Sequence, residues 1–177
     1  MPLVQTTKRM KPEMQVQVSV NGEWHELTIE PRETLLEMIR NRLGLTGTKK
    51  SCDVQVCGTC TVLLDGRPVS ACTMLALEAR DRQVMTIEGL APEGQLHPLQ
   101  EAFIEHGGFQ CGFCTPGMIL AAKALLDETA SPTVEEIKHF MKGNICRCTG
   151  YKKILESILA AAKKLSAISP QRSAEGF

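Results

Sequence analysis

The sequence predicts an α+β protein, with a small mixed sheet and one helix followed by a helical region. Two patterns indicate this class. Apolar residues alternate with period two in the first half of the chain, and they recur at helical spacing in four segments of the second half. The stretch "APEGQ" separates the two halves near residue 92. We therefore predict an N-terminal tail (1–12), a sheet domain (13–90), a helical domain (91–165) and a C-terminal tail (166–177).

The sheet is predicted to begin at "MQVQVSV", where apolar residues occupy every second position. Asn21-Gly22 then suits a tight hairpin turn into a second strand, "WHELTIE". A change to helical spacing predicts a helix between Thr34, which can act as its N-cap, and Gly44, which can end it. The segments "TVLLDG", "RPVSACTMLAL" and "QVMTIEGL" are predicted as further strands.

The helical region is predicted to contain four helices, in "HPLQEAFIEHG", "TPGMILAAKALLDE", "TVEEIKHFMKG" and "GYKKILESILAAAKKL". Thr133 and Glu136 have the spacing of a capping box at the start of the third. His97 and His106 lie at predicted helix ends, so we interpret them as capping or surface residues rather than as metal ligands.

Twenty basic residues balance twenty acidic ones, which gives no electrostatic basis for binding nucleic acid or an anionic membrane surface. The sequence has neither a signal-peptide pattern at "MPLVQTTKRMKPE" nor an apolar window that approaches a membrane span. We expect a cytoplasmic protein. In a reducing compartment the eight cysteines favour metal ligation, and four structural disulfides are the less favoured alternative.

The first cysteine set begins in "SCDVQVCGTC". Four residues separate Cys52 from Cys57, two separate Cys57 from Cys60, and eleven more precede Cys72. The first two intervals are those of plant-type ferredoxins, in which four thiolates bind one 2Fe-2S cluster. A loop of this kind wraps round the inorganic core, and Gly58 permits the close approach that a Cβ would hinder.

The second cysteine set consists of Cys111 and Cys114 in "QCGFC" and Cys146 and Cys148 in "CRC". Both pairs are predicted at turns before helices, so the turns can meet at one end of a helical bundle, where helix N-termini favour thiolates. A tetrahedral zinc site with four cysteines remains an alternative for either set. The ferredoxin spacing disfavours zinc in the first set, and the single residue between Cys146 and Cys148 disfavours it in the second.

Three segments, "CDVQVCGTCTV", "QCGFCTPGM" and "GNICRCTGY", resemble the small iron-sulfur subunits of the molybdenum hydroxylases, the family of xanthine dehydrogenase, aldehyde oxidase and carbon monoxide dehydrogenase. The resemblance covers residues 14–163, with all eight cysteines in register. It implies a plant-ferredoxin-like β-grasp domain followed by a four-helix bundle. It also implies that one 2Fe-2S cluster is bound by Cys52, Cys57, Cys60 and Cys72 and another by Cys111, Cys114, Cys146 and Cys148.

The resemblance further implies an electron-transfer subunit. Single electrons would pass through the two clusters between molybdopterin, in its cytosine dinucleotide form, in a large subunit and FAD in a medium subunit. The second set would lie nearer the pterin, which Gln110 and Cys148 would contact. Two copies of each subunit would form a heterohexamer. The chain has no Ser-His-Asp set, P-loop or dinucleotide fingerprint, so substrate chemistry is expected in the large subunit.

The first loop departs from the commoner form of the family, which often has Gly before the first cysteine, Gly two residues before the second, and Ala before the third. Ser51, Gln55 and Thr59 occupy these positions here. The cysteines themselves are unchanged, so we expect differences in loop conformation and cluster potential rather than loss of the cluster.

Two other functions are compatible with the cysteines. One is a free-standing two-cluster electron carrier or redox sensor, although such a carrier has no need of a helical domain that presents Gln110 beside the second set. The other is a structural zinc-binding adaptor.

Overall fold

The computed structural model describes residues 12–91 and 94–174, and it contains a mixed sheet followed by helices. The strands are β1 (Met14–Val20), β2 (Glu23–Ile29), β3 (Thr61–Leu64), β4 (Arg67–Ser70) and β5 (Gln83–Met85). The helices are α1 (Leu35–Glu37), α2 (Pro98–Glu105), α3 (Thr115–Glu128), α4 (Val134–Phe140) and α5 (Lys152–Ala174). The predicted tail residues 1–11 and 175–177 lie outside the described residues. The predicted α+β class is confirmed.

The five strands form one sheet in the order β2-β1-β5-β3-β4. The β1–β2 hairpin turns at Asn21-Gly22 as predicted, with φ angles of 54° and 88° that suit a tight turn. β1 runs parallel to β5, whereas β3 is antiparallel to both β4 and β5. α1 packs on the sheet and closes a core that includes Val16, Val18, Ile29, Leu35, Leu36, Ile39 and Val62.

The helix predicted between Thr34 and Gly44 begins as α1 and continues as a π-helix, Met38–Arg42. The Thr34 side chain caps α1 by accepting a hydrogen bond from the Glu37 N–H, as the sequence predicts. The π-helix widens the last turns before the chain enters the first cysteine loop.

The strands predicted late in the sheet are shorter than expected. Only Arg67–Ser70 of "RPVSACTMLAL" is a strand, and a 3-10 helix, Ile87–Leu90, follows β5. The backbone after β4 bonds instead to the start of α1, because Leu35 N–H donates to the Met74 carbonyl at 2.8 Å. These backbone groups are therefore satisfied without a further strand.

The four predicted helices of the second half are all present, and α5 packs along α2. Their shared core contains Leu99, Phe103, Met118, Ile137, Ile154 and Ile158. The predicted capping box of α4 forms between Thr133 and Glu136. His97 caps α2 through Nδ1, which accepts from the Leu99 N–H at 3.2 Å. The interpretation of His97 as a capping residue and the prediction of the Thr133–Glu136 capping box are therefore both confirmed.

α3 joins the two halves of the molecule. Leu120 and Ala124 on α3 form a small buried cluster with Leu63 of β3. The sheet and the helices thus share an apolar boundary, which fixes α3 and its N-terminal turn relative to β3.

α5 continues to Ala174, beyond residue 165, where the sequence predicted the start of a tail. None of the helices within the described ranges is both long enough and apolar enough to cross a membrane.

Phe103 provides a direct test of the helical core, because its side chain is 1% exposed whereas that of the adjacent Ile104 is 57% exposed. Phe103→Ala is expected to lower the free energy of unfolding by about 3–5 kcal/mol through lost burial and a cavity. Ile104→Ala is expected to change it by less than about 0.5 kcal/mol. Urea denaturation followed by circular dichroism compares them, and equal losses would contradict the assigned core.

Candidate metal centres

The β3–β4 hairpin positions two cysteines of the first set. Cys60 directly precedes β3 and Cys72 follows β4, and the paired residues Thr61 and Ser70 bring the two ends of the hairpin together. The side chains of Cys60 and Cys72 contact each other and are 2% and 5% exposed. Burial, as the largest cause, raises the pKa of the Cys60 thiol to about 12.

The other two cysteines of the first set lie on the loop before β3, where the Cys52 and Cys57 side chains contact each other. The loop folds back so that the Val56 N–H donates to Cys52 Sγ at 3.4 Å. Backbone N–H groups of Val54, Val56 and Cys57 lower the pKa of the Cys52 thiol to about 6. The loop therefore stabilises negative charge on this sulfur.

Gln55 is one of the three residues that depart from the commoner family pattern of the first loop. Its φ angle is +59°, a left-handed conformation that glycine adopts without a steric cost and other residues adopt at roughly 1–2 kcal/mol. Its Oε1 accepts a hydrogen bond from Thr73 Oγ1 at 3.0 Å, and Thr73 directly follows Cys72. The glutamine thus ties the loop to the segment that carries the fourth cysteine, a contact that glycine cannot make.

The second set assembles from two turns. Cys114 is the N-cap residue of α3, and Cys111 lies one short turn before it. Cys148 Sγ lies 3.6 Å from Cys111 Sγ, and the Cys114 and Cys146 side chains contact each other. The two turns therefore meet, as the sequence predicts.

The pKa values of the thiols in the second set are shifted in opposite directions. Burial, followed by the contact with Cys146, raises the pKa of the Cys114 thiol to about 12. Burial also acts to raise the pKa of Cys146, but hydrogen bonds outweigh it and the pKa is lowered. Thr149 donates to Cys146 Sγ from its hydroxyl at 3.1 Å and from its N–H at 3.4 Å. The contact with Cys111 raises the pKa of Cys148.

Each set consists of an inner and an outer pair of sulfurs. The inner pairs are Cys60 with Cys72 and Cys114 with Cys146. The outer pairs are Cys52 with Cys57 and Cys111 with Cys148, and both members of the latter are exposed. All eight cysteines are free thiols. Within the described residues, no three His, Cys, Asp or Glu side chains converge as the ligands of one metal ion.

The chemistry of the two donor sets fits a 2Fe-2S cluster. Such a cluster takes four thiolates, and its two irons take two each, which is the pairing that the side chains show. Two thiolates in contact repel each other, so a bound cation stabilises each pair. Hydrogen bonds to Cys52 and Cys146 are of the kind that stabilise a coordinated thiolate.

The two sets are joined by a buried junction. Asn144, 8% exposed, donates from Nδ2 to the carbonyl oxygens of Gly58 and Gly117 at 3.1 and 3.3 Å and to Thr61 Oγ1 at 3.3 Å. The adjacent Ile145 N–H donates to the Cys57 carbonyl at 2.9 Å. The segment that leads to Cys146 therefore lies directly against the loop of the first set.

The junction needs glycine at two positions. A Cβ at Gly58 would lie 2.4 Å from the Gly143 carbonyl oxygen, and a Cβ at Gly117 would lie 2.3 Å from the Gly58 carbonyl oxygen. The sequence predicted a close approach at Gly58 but not the roles of Gly117 and Asn144. Their presence within the quoted segments "GNICRCTGY" and "QCGFCTPGM" was the signal that could have identified them.

Gln110, the residue expected to contact a pterin, is exposed and directly precedes the exposed Cys111. Three aromatic residues within three positions of the outer pair of the second set are exposed: Phe109 is 40% exposed, Phe113 46% and Tyr151 39%. Exposed aromatic side chains are typical of interaction surfaces.

The cysteine sites and the sheet-plus-helix architecture define a two-cluster iron-sulfur protein, and comparison with family models supports this class. The model described as "2Fe-2S iron-sulfur cluster binding domain" matches residues 18–91. A second, described as "2Fe-2S binding domain", matches residues 86–159. Each match contains one of the two cysteine sets.

Similar proteins identify the family. The chain is 46% identical over 149 residues to the nicotinate dehydrogenase small FeS subunit of Eubacterium barkeri, a match that covers 84% of this chain and 95% of that one. It is 44% identical to the nicotine 6-hydroxylase small subunit of Paenarthrobacter nicotinovorans, over 88% of this chain and 94% of the relative.

The structure of quinoline 2-oxidoreductase from Pseudomonas putida 86 is similar with a TM-score of 0.84 and 40% identity, over 88% of this chain and 97% of that chain. The aldehyde oxidoreductase of Desulfovibrio gigas has the same TM-score, but the match covers only 18% of that longer chain. The chain belongs to the small iron-sulfur subunits of the molybdenum hydroxylase family, and it is therefore an electron-transfer subunit of a multi-subunit oxidoreductase.

Gly117→Ala tests the junction. Helix propensity alone would stabilise α3 by about 1 kcal/mol, but overpacking against the Gly58 carbonyl is expected to cost about 1–3 kcal/mol and to lower the melting temperature. Gly143→Ala is the matched control, because its added Cβ meets nothing within 4 Å. Thermal unfolding followed by circular dichroism compares the variants. A Gly117→Ala protein at least as stable as Gly143→Ala would refute the close backbone packing.

Proposed function

We propose that this chain carries single electrons between a molybdopterin centre in a large partner subunit and FAD in a medium partner subunit. A 2Fe-2S cluster, when bound, accepts and releases one electron, so two of them link a centre that reacts in two-electron steps to a flavin. The observation that carries the proposal is the arrangement of the eight cysteines as two sets of paired sulfurs, joined by a buried junction.

The proposed ligands are Cys52, Cys57, Cys60 and Cys72 for one cluster and Cys111, Cys114, Cys146 and Cys148 for the other. Pairing in twos supports a two-iron core over zinc, because a tetrahedral zinc site needs all four sulfurs round one ion. Free thiols in all eight positions also disfavour the disulfide alternative.

The second set is proposed to face the molybdopterin subunit. Its outer pair, Cys111 and Cys148, is exposed beside Gln110, and exposed aromatic residues flank both cysteines. A partner that covers this face would remove those apolar side chains from water and shield the cluster. Gln110 and Cys148 are the proposed contacts with the pterin.

The first set is proposed to face the FAD subunit. Val54 and Val56, on the loop of its outer pair, are 62% and 59% exposed. A partner that covers this loop would remove these two apolar side chains from water, and the proposal gives the electron a separate point of entry or exit at each cysteine set.

The proposed domain folds, form of molybdopterin and subunit stoichiometry rest on the resemblance to the molybdenum hydroxylase family. The mixed sheet with α1 supports a β-grasp domain, and α2–α5 support a four-helix bundle. We further propose the cytosine dinucleotide form of molybdopterin and a heterohexamer with two copies of each subunit. A cytoplasmic location agrees with eight unpaired cysteines.

Spectroscopy and metal analysis test the clusters. The purified chain is expected to hold roughly four irons, two per 2Fe-2S cluster, and to give two distinguishable rhombic EPR signals after reduction with dithionite. Co-expression with its partner subunits is expected to yield a stable complex that contains molybdenum and flavin. Stoichiometric zinc would instead support the alternative of a structural zinc-binding adaptor. A monomer that shows both EPR signals but binds no partner subunit would support the alternative of a free-standing two-cluster electron carrier.

Cys148→Ala tests the assignment of the second set. With one of four thiolates missing, the variant is expected to lose the second EPR signal and roughly half of its iron while keeping the first signal. Arg147→Ala, an exposed neighbour between the two cysteines, is the control and is expected to retain both. Retention of both signals in Cys148→Ala would show that Cys148 is not a required ligand.

A further inference from the structure

The two cysteine sets are connected through a very short stretch of backbone. The Ile145 N–H donates to the Cys57 carbonyl at 2.9 Å. Cys57 belongs to the first set, and Ile145 is covalently bonded to Cys146 of the second. One hydrogen bond and one residue therefore separate a proposed ligand of one cluster from a proposed ligand of the other.

This contact is held from three sides. The buried Asn144 amide donates to the Gly58 and Gly117 carbonyls and to Thr61 Oγ1, so the segment before Ile145 is fixed against β3 and the start of α3. Gly58 lies so close to the Gly143 carbonyl that a Cβ there would lie 2.4 Å from its oxygen. The backbones touch directly, with no side chain between them.

Other connections between the two sets are less direct. α3 begins directly after Cys114 and touches the first loop at Gly117, where an added Cβ would lie 2.3 Å from the Gly58 carbonyl oxygen. That route is a van der Waals contact, three residues away from Cys114. Electronic coupling falls off more slowly through covalent and hydrogen bonds than across contacts, so the Cys57–Ile145 route is favoured.

We infer that the Cys57 carbonyl and the Ile145 N–H form the link through which electrons pass between the two cysteine sets, and that Asn144 is the positioning residue that holds it. The inference rests on the proposed function. With clusters bound, each passage would oxidise the cluster at one set by one electron and reduce the cluster at the other set by the same electron. No bond forms or breaks, and no proton is transferred.

A proline at position 145 removes the N–H donor and sets a ring carbon against the Cys57 carbonyl oxygen, so it breaks the link. Ile145→Pro deletes the donor, and the extended backbone of Asn144, with φ −116° and ψ 109°, is the conformation that a residue before proline favours. Ile145→Ala is the matched variant, since it keeps the N–H and loses only a side chain that is 45% exposed.

The measurement is pulse radiolysis of the purified chain, which delivers one electron and follows its redistribution between the clusters. EPR of each variant first establishes that both clusters are present, and the dipolar interaction between the reduced clusters reports their separation. Ile145→Pro is expected to slow redistribution severalfold, by more than the change in cluster separation read from the dipolar interaction explains, and Ile145→Ala is expected to match the wild type. A wild-type rate in Ile145→Pro with both clusters present would overturn the inference.

Asn144→Ala provides a second measurement if the proline variant loses a cluster. It keeps the Ile145 N–H but removes the amide that holds the contact, so both a slower rate and a changed dipolar interaction are expected. A wild-type rate would again refute the link. Absence of two 2Fe-2S signals from the wild-type chain would instead count against the proposed function.

Discussion

The amide of Asn144 is the interaction on which the relation between the two cysteine sets depends. It is buried, and it donates to acceptors on the first cysteine loop, on β3 and on α3. These hydrogen bonds satisfy a buried polar side chain, and they add a polar connection to the apolar contact that Leu63 of β3 makes with Leu120 and Ala124 of α3. The same contact explains two requirements for glycine. Gly58 and Gly117 lie where the backbones approach too closely for any side chain.

The regular elements place the sulfurs at two depths. The β3–β4 hairpin buries Cys60 and Cys72 at its open end, and the packing of α3 against the helical core buries Cys146 and half-buries Cys114. The other pair of the first set lies on the loop before β3, and the other pair of the second set lies on the two turns before α3 and α5. This arrangement suits the proposed electron carrier, because the inner cysteines would anchor each cluster to the scaffold and the outer cysteines would bring it near a partner.

Much of this architecture could be predicted from local patterns. Strict alternation marked β1, Asn21-Gly22 marked the hairpin, and the Thr133–Glu136 box marked the start of α4. Local patterns failed after β4, where backbone bonds to α1 replaced a predicted strand. They also could not show which sulfurs pair, because pairing depends on how a hairpin and two distant turns meet. The role of Asn144 could not be predicted either, because its three acceptors come from segments far away in the sequence.

The two sets stabilise thiolate charge by different means. Backbone N–H groups of a partly exposed loop serve Cys52, whereas the hydroxyl and N–H of Thr149 serve the buried Cys146. Hydrogen bonds to sulfur and exposure to solvent are both means by which a protein adjusts the potential of a 2Fe-2S cluster. The two proposed clusters would therefore differ in both of the factors that the protein controls, whereas the junction between them would be the same for an electron passing in either direction.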